Sequence, residues 1–227
     1  MKPGIIKKYL SYVTELLVET VQSNYNETLE VLLSHGRYQL CTPNAVYSYG
    51  DKYNNYRDCF KQLVLDKHDL KNVLILGFGL GSIPVLLEKT FKKSLMYTGV
   101  EIDEAIIYLV SKYVLDEVKS EISLIHADAA NFVMQNHFIY DMICIDIFID
   151  DKIPEHFISK QFLENVITNV AINGIILFNH LGHSEADITA AQRYYKDVFS
   201  QVIPNAKMIK VNHNFMMVSN PDIWIKK

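Results

Sequence analysis

The 227-residue chain is short of the residues that mark several protein classes. It has three cysteines, Cys41, Cys59 and Cys144, an odd number with no paired metal spacing. A disulfide framework and a cysteine-ligated metal centre are excluded as organising features, and no metal is expected. Cys144 lies in an apolar run and reads as a buried, inert thiol in a reduced, cytoplasmic setting. Positive charge is not in excess: 22 Lys and Arg face 26 Asp and Glu, a net charge of -4. A nucleic-acid partner held by phosphate contacts needs a basic stripe, and none stands out. No run is long and apolar enough to span a bilayer, so no membrane partner is expected. The start, Met1-Lys2-Pro3-Gly4, carries no signal-peptide core. Internal repeats and low-complexity linkers are also missing.

What is present is an ordinary globular composition, 49% apolar and 21% charged. The length suits one α/β domain with a small appendage. Residues 5–21 place Ile5, Ile6, Leu10, Val13, Leu16, Leu17 and Val21 at helical spacing, which predicts an amphipathic helix. Strands are predicted at 28–33 and 38–42 around the turn Ser34-His35-Gly36-Arg37, with a third extended piece through Val46 and Tyr49. A helix follows at 51–64. This appendage is assigned to residues 1–66, and the main domain to 67–227.

From Asn72 short apolar runs alternate with amphipathic helical segments. The runs are 73–76, 95–100, 122–125, 142–147 and 175–178; the helices are 82–91, 104–115, 129–135, 158–170 and 184–199. Strands buried on both faces lose their alternation, so the pattern predicts a doubly wound, mostly parallel Rossmann-like sheet. The last strands, 206–211 and 215–219, are separated only by Asn212-His213-Asn214. That is too short for a crossover helix, so the seventh strand must run antiparallel. A reversed last strand is the arrangement of S-adenosylmethionine (AdoMet) methyltransferases and is absent from ordinary dinucleotide-binding domains.

The first main-domain strand leads into Gly77-Phe78-Gly79-Leu80-Gly81-Ser82. Glycines let the backbone turn sharply and approach a ligand, and the helix start adds free N–H groups. A dinucleotide fingerprint wants glycine where Ser82 stands; the observed spacing suits a carboxylate-bearing ligand better than a pyrophosphate. Glu101, at the end of the second strand, is the candidate for the ribose hydroxyls, with Ile102 beside it; Asp103 reads as a helix N-cap. Asp128, before Ala129, is a candidate for the adenine amino group and equally an N-cap. Asp146 closes the fourth strand, where open α/β sheets place their chemistry, and Asp150 and Asp151 follow in the loop above. Tyr47 and Tyr49 are candidates to line a substrate entrance, whereas Tyr53 and Tyr56 read as packing. His180 and His183 read as structural or solvated first and catalytic second. Trp224 reads as a packing anchor.

These pieces, taken in order from about Thr28 to Phe178, resemble the spermidine synthase family and, through it, the class I AdoMet-dependent methyltransferases. They are His35-Gly36-Arg37-Tyr38-Gln39, Tyr47-Ser48-Tyr49, the glycine turn, Val100-Glu101-Ile102-Asp103, Ala127-Asp128-Ala129, and Asp146 followed by Pro154 and Phe162-Leu163. The resemblance implies that Gln39 and Asp146 flank the sulfonium and methionine end of a bound nucleoside. It assigns the cofactor contacts to Gln39, Gly77, Gly79, Gly81, Glu101, Ile102, Asp128, Ala129 and Asp146. It also brings the expectation of a homodimer. Two places depart from the family: Leu80 and Ile149 stand where aminopropyltransferases carry aspartates. The expectation is therefore an AdoMet-dependent transferase, methyltransferase-like, acting on a small-molecule acceptor through Asp146 or Asp150. The second reading is an aminopropyltransferase using decarboxylated AdoMet with a rearranged acidic loop. The third is a non-catalytic AdoMet-binding protein.

Overall fold

The computed structural model describes residues 3–226. At the N-terminal end, helix α1 (Ile5–Leu10) precedes a four-stranded antiparallel sheet in the order β1-β2-β3-β4. Its strands are β1 (Leu16–Val21), β2 (Leu29–Ser34), β3 (Arg37–Cys41) and β4 (Val46–Ser48). The expected helix over 5–21 is thus corrected: it stops at Leu10, and residues 16–21 are an edge strand paired with β2. The segment Leu-Leu-Val-Glu-Thr-Val is rich in branched side chains that suit a pleated surface. Its spacing matched a helix only because Leu17 and Val18 are exposed instead of facing a core.

Helix α2 (Asn54–Gln62) leads into the second sheet and packs against its last two strands. This sheet holds β5 (Asn72–Leu76), β6 (Met96–Glu101), β7 (Ile122–His126), β8 (Tyr140–Ile145), β9 (Val170–Leu181), β10 (Lys207–Val211) and β11 (Asn214–Val218). The order is β10-β11-β9-β8-β5-β6-β7. β5 to β9 pair in parallel, while β11 runs antiparallel to both of its neighbours. The seven-stranded Rossmann-like sheet with a reversed last strand is therefore present. The final strand inserts between β9 and β10, because the tight hairpin forces β11 to fold back beside its predecessor. Helices α3 (Ser82–Val85), α4 (Glu104–Tyr113), α5 (Ala129–Gln135), α6 (Lys160–Ile167), α7 (Glu185–Tyr194), α8 (Ser200–Val202) and α9 (Pro221–Trp224) connect and cover the strands.

The central strand accounts for the two-layered covering. In β5, Val73 and Ile75 join one apolar core and Leu74 and Leu76 the other, all fully buried. Each layer of helices thus has its own core. Trp224 serves as the expected anchor: it is buried, stacks on His68 at 3.8 Å and donates its indole N–H to the Asn173 carbonyl. No helix among the described residues is long and apolar enough to cross a membrane.

At the carboxyl edge of this sheet the glycine turn meets the end of β8 very closely. A Cβ on Gly77 would lie 2.3 Å from the Asp146 carbonyl oxygen, and its φ is +83°. Both facts demand glycine. Gly77→Ala is expected to destabilise the fold by about 2–5 kcal/mol, combining left-handed strain with overpacking. Urea unfolding of the two proteins measures it; a loss below 0.5 kcal/mol, on the order of an ordinary surface change, would show that the backbone there yields freely.

Candidate nucleoside and acceptor site

A cleft of about 740 Å³ opens over the carboxyl ends of β5, β6 and β8, with the N-terminal sheet above it. That volume is typical of small-molecule sites. Gly77, Gly79, Glu101, Ile102, Asp128, Ala129, Asp146, Gln39, Tyr47, Tyr49, Asp150 and Asp151 all border it. Gly81 does not; its missing side chain instead leaves room for the Phe78 ring at 3.1 Å and for Val114 at 3.3 Å. Its glycine is needed for packing and for a φ of +65°.

Glu101 forms the centre of the end of the cleft over β5 and β6. One carboxylate oxygen accepts the N–H groups of Phe78 (3.1 Å) and Gly79 (3.2 Å); the other accepts those of Ile102 (2.9 Å) and Asp103 (3.1 Å). Burial raises its carboxyl above the ordinary range, opposed by these amides. The amides that the turn was expected to offer a ligand carboxylate are thus already engaged by the protein's own anion. Asp103 caps α4 through the Ala105 N–H, as expected, and also accepts Ser23 Oγ. Asp128 caps α5 with one oxygen (2.9 Å to Asn131 N); the other lies 3.7 Å from His156 Nε2 and faces the cleft. Val100, Ala127 and Phe157 provide apolar walls here. This end can accept a flat base and still present an acceptor oxygen at its rim.

At the other end lies Asp146. Tyr53 donates its hydroxyl to the carboxylate at 2.9 Å, and Asn179 donates its amide at 2.8 Å. Asn214 in turn donates to the Asn179 oxygen at 2.8 Å, which fixes the direction of that amide. Burial pushes the Asp146 carboxyl up to about 6, against the lowering effect of Asn179 and Tyr53. Gln39, on β3, presents a buried Oε1 that has no hydrogen-bond partner. A hydrogen-bond donor on a bound ligand would satisfy it, and Asp146 beside it would favour a donor that carries positive charge.

Asp150 is placed differently from expectation. Its carboxylate accepts Thr42 Oγ1 at 2.6 Å and Asn44 Nδ2 at 2.5 Å, and its backbone N–H meets Tyr47 Oη and Asn26 Oδ1. Burial acts upward on its carboxyl, but the Asn44 and Thr42 bonds outweigh it and hold it below the ordinary range. Asp150 therefore straps the loop after β8 to the N-terminal sheet, with its charge already engaged. Asp151 is exposed beside it. Tyr47 serves the same strap, bonding Asn26 at 2.7 Å. Tyr49 Oη turns to Ser34 Oγ at 2.9 Å. The tyrosine that reaches the chemistry is Tyr53, whose ring also stacks on Tyr56 as the packing reading expected. Asn179 and Asn214 were not singled out. The available signal was positional: Asn179 and Asp146 each directly follow the last parallel pair of β8 and β9, Ile145 with Phe178. His180 is buried, its imidazole pushed down to about 3 by burial, so it is neutral and structural. His183 borders the cleft.

Residues 54–220 match the spermine/spermidine synthase domain. The chain belongs to that family. It is 26% identical over 153 residues to the polyamine aminopropyltransferase of Vibrio vulnificus (strain CMCP6), covering 66% of this chain and 50% of that protein. The chain thus spans half the length of this curated relative. A probable spermidine synthase from Corynebacterium glutamicum ATCC 13032 shares the fold with a TM-score of 0.71 at 14% identity, over 90% of this chain and 80% of that one. Human methyltransferase-like protein 13, solved with SAH, gives 0.56 at 19% identity over 67% and 72%. The family match and the curated relative favour the second of the expected readings over the methyltransferase-like one.

The raised Asp146 carboxyl sets the sign of a stability effect. Its folded value, about 6, lies above the unfolded value of about 3.9. The folded state therefore holds the proton more tightly, and stability falls as pH rises from about 4 to about 6. The cost of ionising it in the fold is at most about 3 kcal/mol, less as cleft water reaches it. Asp146→Asn is expected to flatten this slope, measured as unfolding free energy against pH. An unchanged slope would place the proton uptake elsewhere.

Proposed function

We propose that this protein is an aminopropyltransferase that takes its three-carbon amine group from decarboxylated AdoMet and delivers it to an amine acceptor. The observation that carries this reading is the engagement of the glycine turn by Glu101, together with the acceptor atoms around Asp146. The Phe78 and Gly79 amides are engaged, and the neighbouring groups are the Gln39 oxygen and the Asp146 carboxylate. A carboxylate on the donor's tail would find no amide pair there and would face a like charge. An ammonium without that carboxylate would find two acceptors.

Asp128 and the Val100–Ala127–Phe157 walls would hold the adenine, and Glu101 the ribose, its oxygens accepting hydroxyl donors beside the amide bonds that they keep. Sandwiched between the two sheets, the sulfonium carbon and the acceptor amine would be held for in-line attack, where positioning supplies most of the catalysis. The unprotonated amine attacks the propyl carbon attached to sulfur. The carbon–sulfur bond breaks, its electron pair stays on sulfur, and 5′-methylthioadenosine leaves. The new ammonium gives its proton to Asp146 or to water. With a carboxyl near 6, Asp146 is ionised at neutral pH and close enough in pKa to exchange protons effectively. Tyr53, raised well above its ordinary value by burial and the Asp146 charge, remains a hydrogen-bond donor throughout.

Turnover should rise with pH through about 6 as Asp146 ionises, opposite in sign to its effect on stability. Asp146→Asn should lose about 100-fold or more, as removal of a general base does. Calorimetry with AdoMet and decarboxylated AdoMet, together with assay of methylthioadenosine release across a panel of amines, tests the proposal. Tighter binding of AdoMet accompanied by methyl transfer would replace it with the methyltransferase reading. Binding without turnover on any acceptor would leave a non-catalytic nucleoside-binding protein.

A further inference from the structure

The acceptor end of the cleft has an unusual lining for an enzyme whose substrate is an amine. Sheet order separates the two ends: Glu101 and Asp128 follow β6 and β7 on one side of β8, while Asn179 and Asn214 belong to β9 and β11 on the other. Around this second end the cleft is bordered by Lys52, Asn54, Asn55, His183, Asn212 and Asn214. Four of these six are neutral amides, and one is a cation. The other carboxylates that border the cleft on this side are Asp150, engaged by Thr42 and Asn44, Asp151, exposed at its rim, and Asp187, which accepts the Ser184 N–H and Oγ at 2.9 and 2.8 Å within the capping box of α7. At the two places where the family's resemblance leads one to expect further carboxylates, Leu80 is buried in the apolar core and Ile149 is aliphatic.

We infer that the acceptor is a primary amine whose far end is not cationic and accepts hydrogen bonds: an amino alcohol or an amino acid rather than a diamine. This rests on the reading of the cleft as an amine-acceptor transferase site. The reacting nitrogen lies by Asp146, the buried carboxylate that Tyr53 and Asn179 hold at the cleft. A second ammonium on the same molecule would leave water for a wall of amides and meet Lys52, while Asp150 and Asp187 are already bonded to other donors and Asp151 is exposed to solvent at the rim. A hydroxyl or a carboxylate at that position would accept bonds from the asparagine amides, and either is compatible with the lysine.

Three ligands of equal length isolate the far end: 3-aminopropanol, 3-aminopropanoate and 1,3-diaminopropane. Their binding is measured by calorimetry at low salt, with the protein saturated by whichever nucleoside product it binds, methylthioadenosine or S-adenosylhomocysteine. At least one of the first two should bind tenfold or more tightly than the diamine, and which one does tells hydroxyl from carboxylate. Lys52→Glu should reverse the order between 3-aminopropanoate and the diamine, and Asn55→Asp should move the diamine in the same direction. A wild-type protein that binds the diamine as well as or better than both others overturns the inference, as does one that binds none of the three. The donor assay above is separate: a protein that uses AdoMet and not its decarboxylated form would end the aminopropyl reading, while this ordering of acceptors would still stand or fall on its own.

Discussion

The structure depends on how the Glu101 carboxylate is held. Four backbone N–H groups converge on it, two from the glycine turn after β5 and two from its own exit from β6. A buried carboxylate is costly unless such donors surround it, and charge-assisted bonds to amides are among the stronger ones available. The arrangement works in both directions. Glu101 fixes the turn in a shape in which Gly77, Gly79 and Gly81 all adopt positive φ, and the turn supplies the donors that make the buried charge tolerable. Because β5 lies next to β8, the same turn sets where Asp146 emerges, through the contact between Gly77 and the Asp146 carbonyl. The floor of the cleft is thus one connected piece of backbone, and the side chains facing a ligand are placed by it.

Above that floor, two aspartates on one loop are pushed in opposite directions. Asp146 is raised because burial outweighs its two neutral donors. Asp150 is lowered because Thr42 and Asn44 outweigh its burial. Divergent environments of this kind separate a carboxylate that can exchange protons from one that remains charged. Only four residues apart, the pair divides the work: Asp150 joins the loop to the N-terminal sheet, and Asp146 faces the cleft. The Asp150 strap and the Arg37–Asp51 ion pair both tie the sheet that carries Gln39 to the walls of the cleft. The N-terminal sheet is a roof and a source of site residues at once.

The main sheet could be read from the sequence because β5, β8 and β9 are buried on both faces, which leaves continuous apolar runs that no other element produces at that length. The reversed last strand was legible for a geometric reason: three residues between two strands permit only a hairpin. The site was legible where backbone dictates it, at the glycine turn, Glu101, Asp128 and Asp146, all at strand ends. Illegible were the details that depend on side-chain direction. Nothing in the order Tyr47, Tyr49, Tyr53 says which hydroxyl reaches Asp146, since two precede α2 in extended chain and the third starts a helix. Asp150 looked like a base because its position in the chain is close to Asp146; its partners, Thr42 and Asn44, lie over 100 residues away. Residues 16–21 misled because a bulge between Leu17 and Glu19 shifts the register, so that Leu16, Glu19 and Val21 turn inward out of step with one period of two.

The aliphatic Ile149 borders the cleft beside Asp146, whereas Leu80 lies in the apolar core outside its lining. A second carboxylate close to Asp146 would raise that group further, since like charges disfavour ionisation, and would make a shared proton the resting state. Here the rise in Asp146 comes from burial alone, and two neutral donors limit it. Asp146 therefore ionises by itself, with no proton shared, and carries one negative charge at neutral pH. A substrate with two ammonium ends needs two such charges to be desolvated without loss. Asp146 is thus set by burial and two neutral donors, with amides and Lys52 along the neighbouring lining instead of a carboxylate that shares its proton.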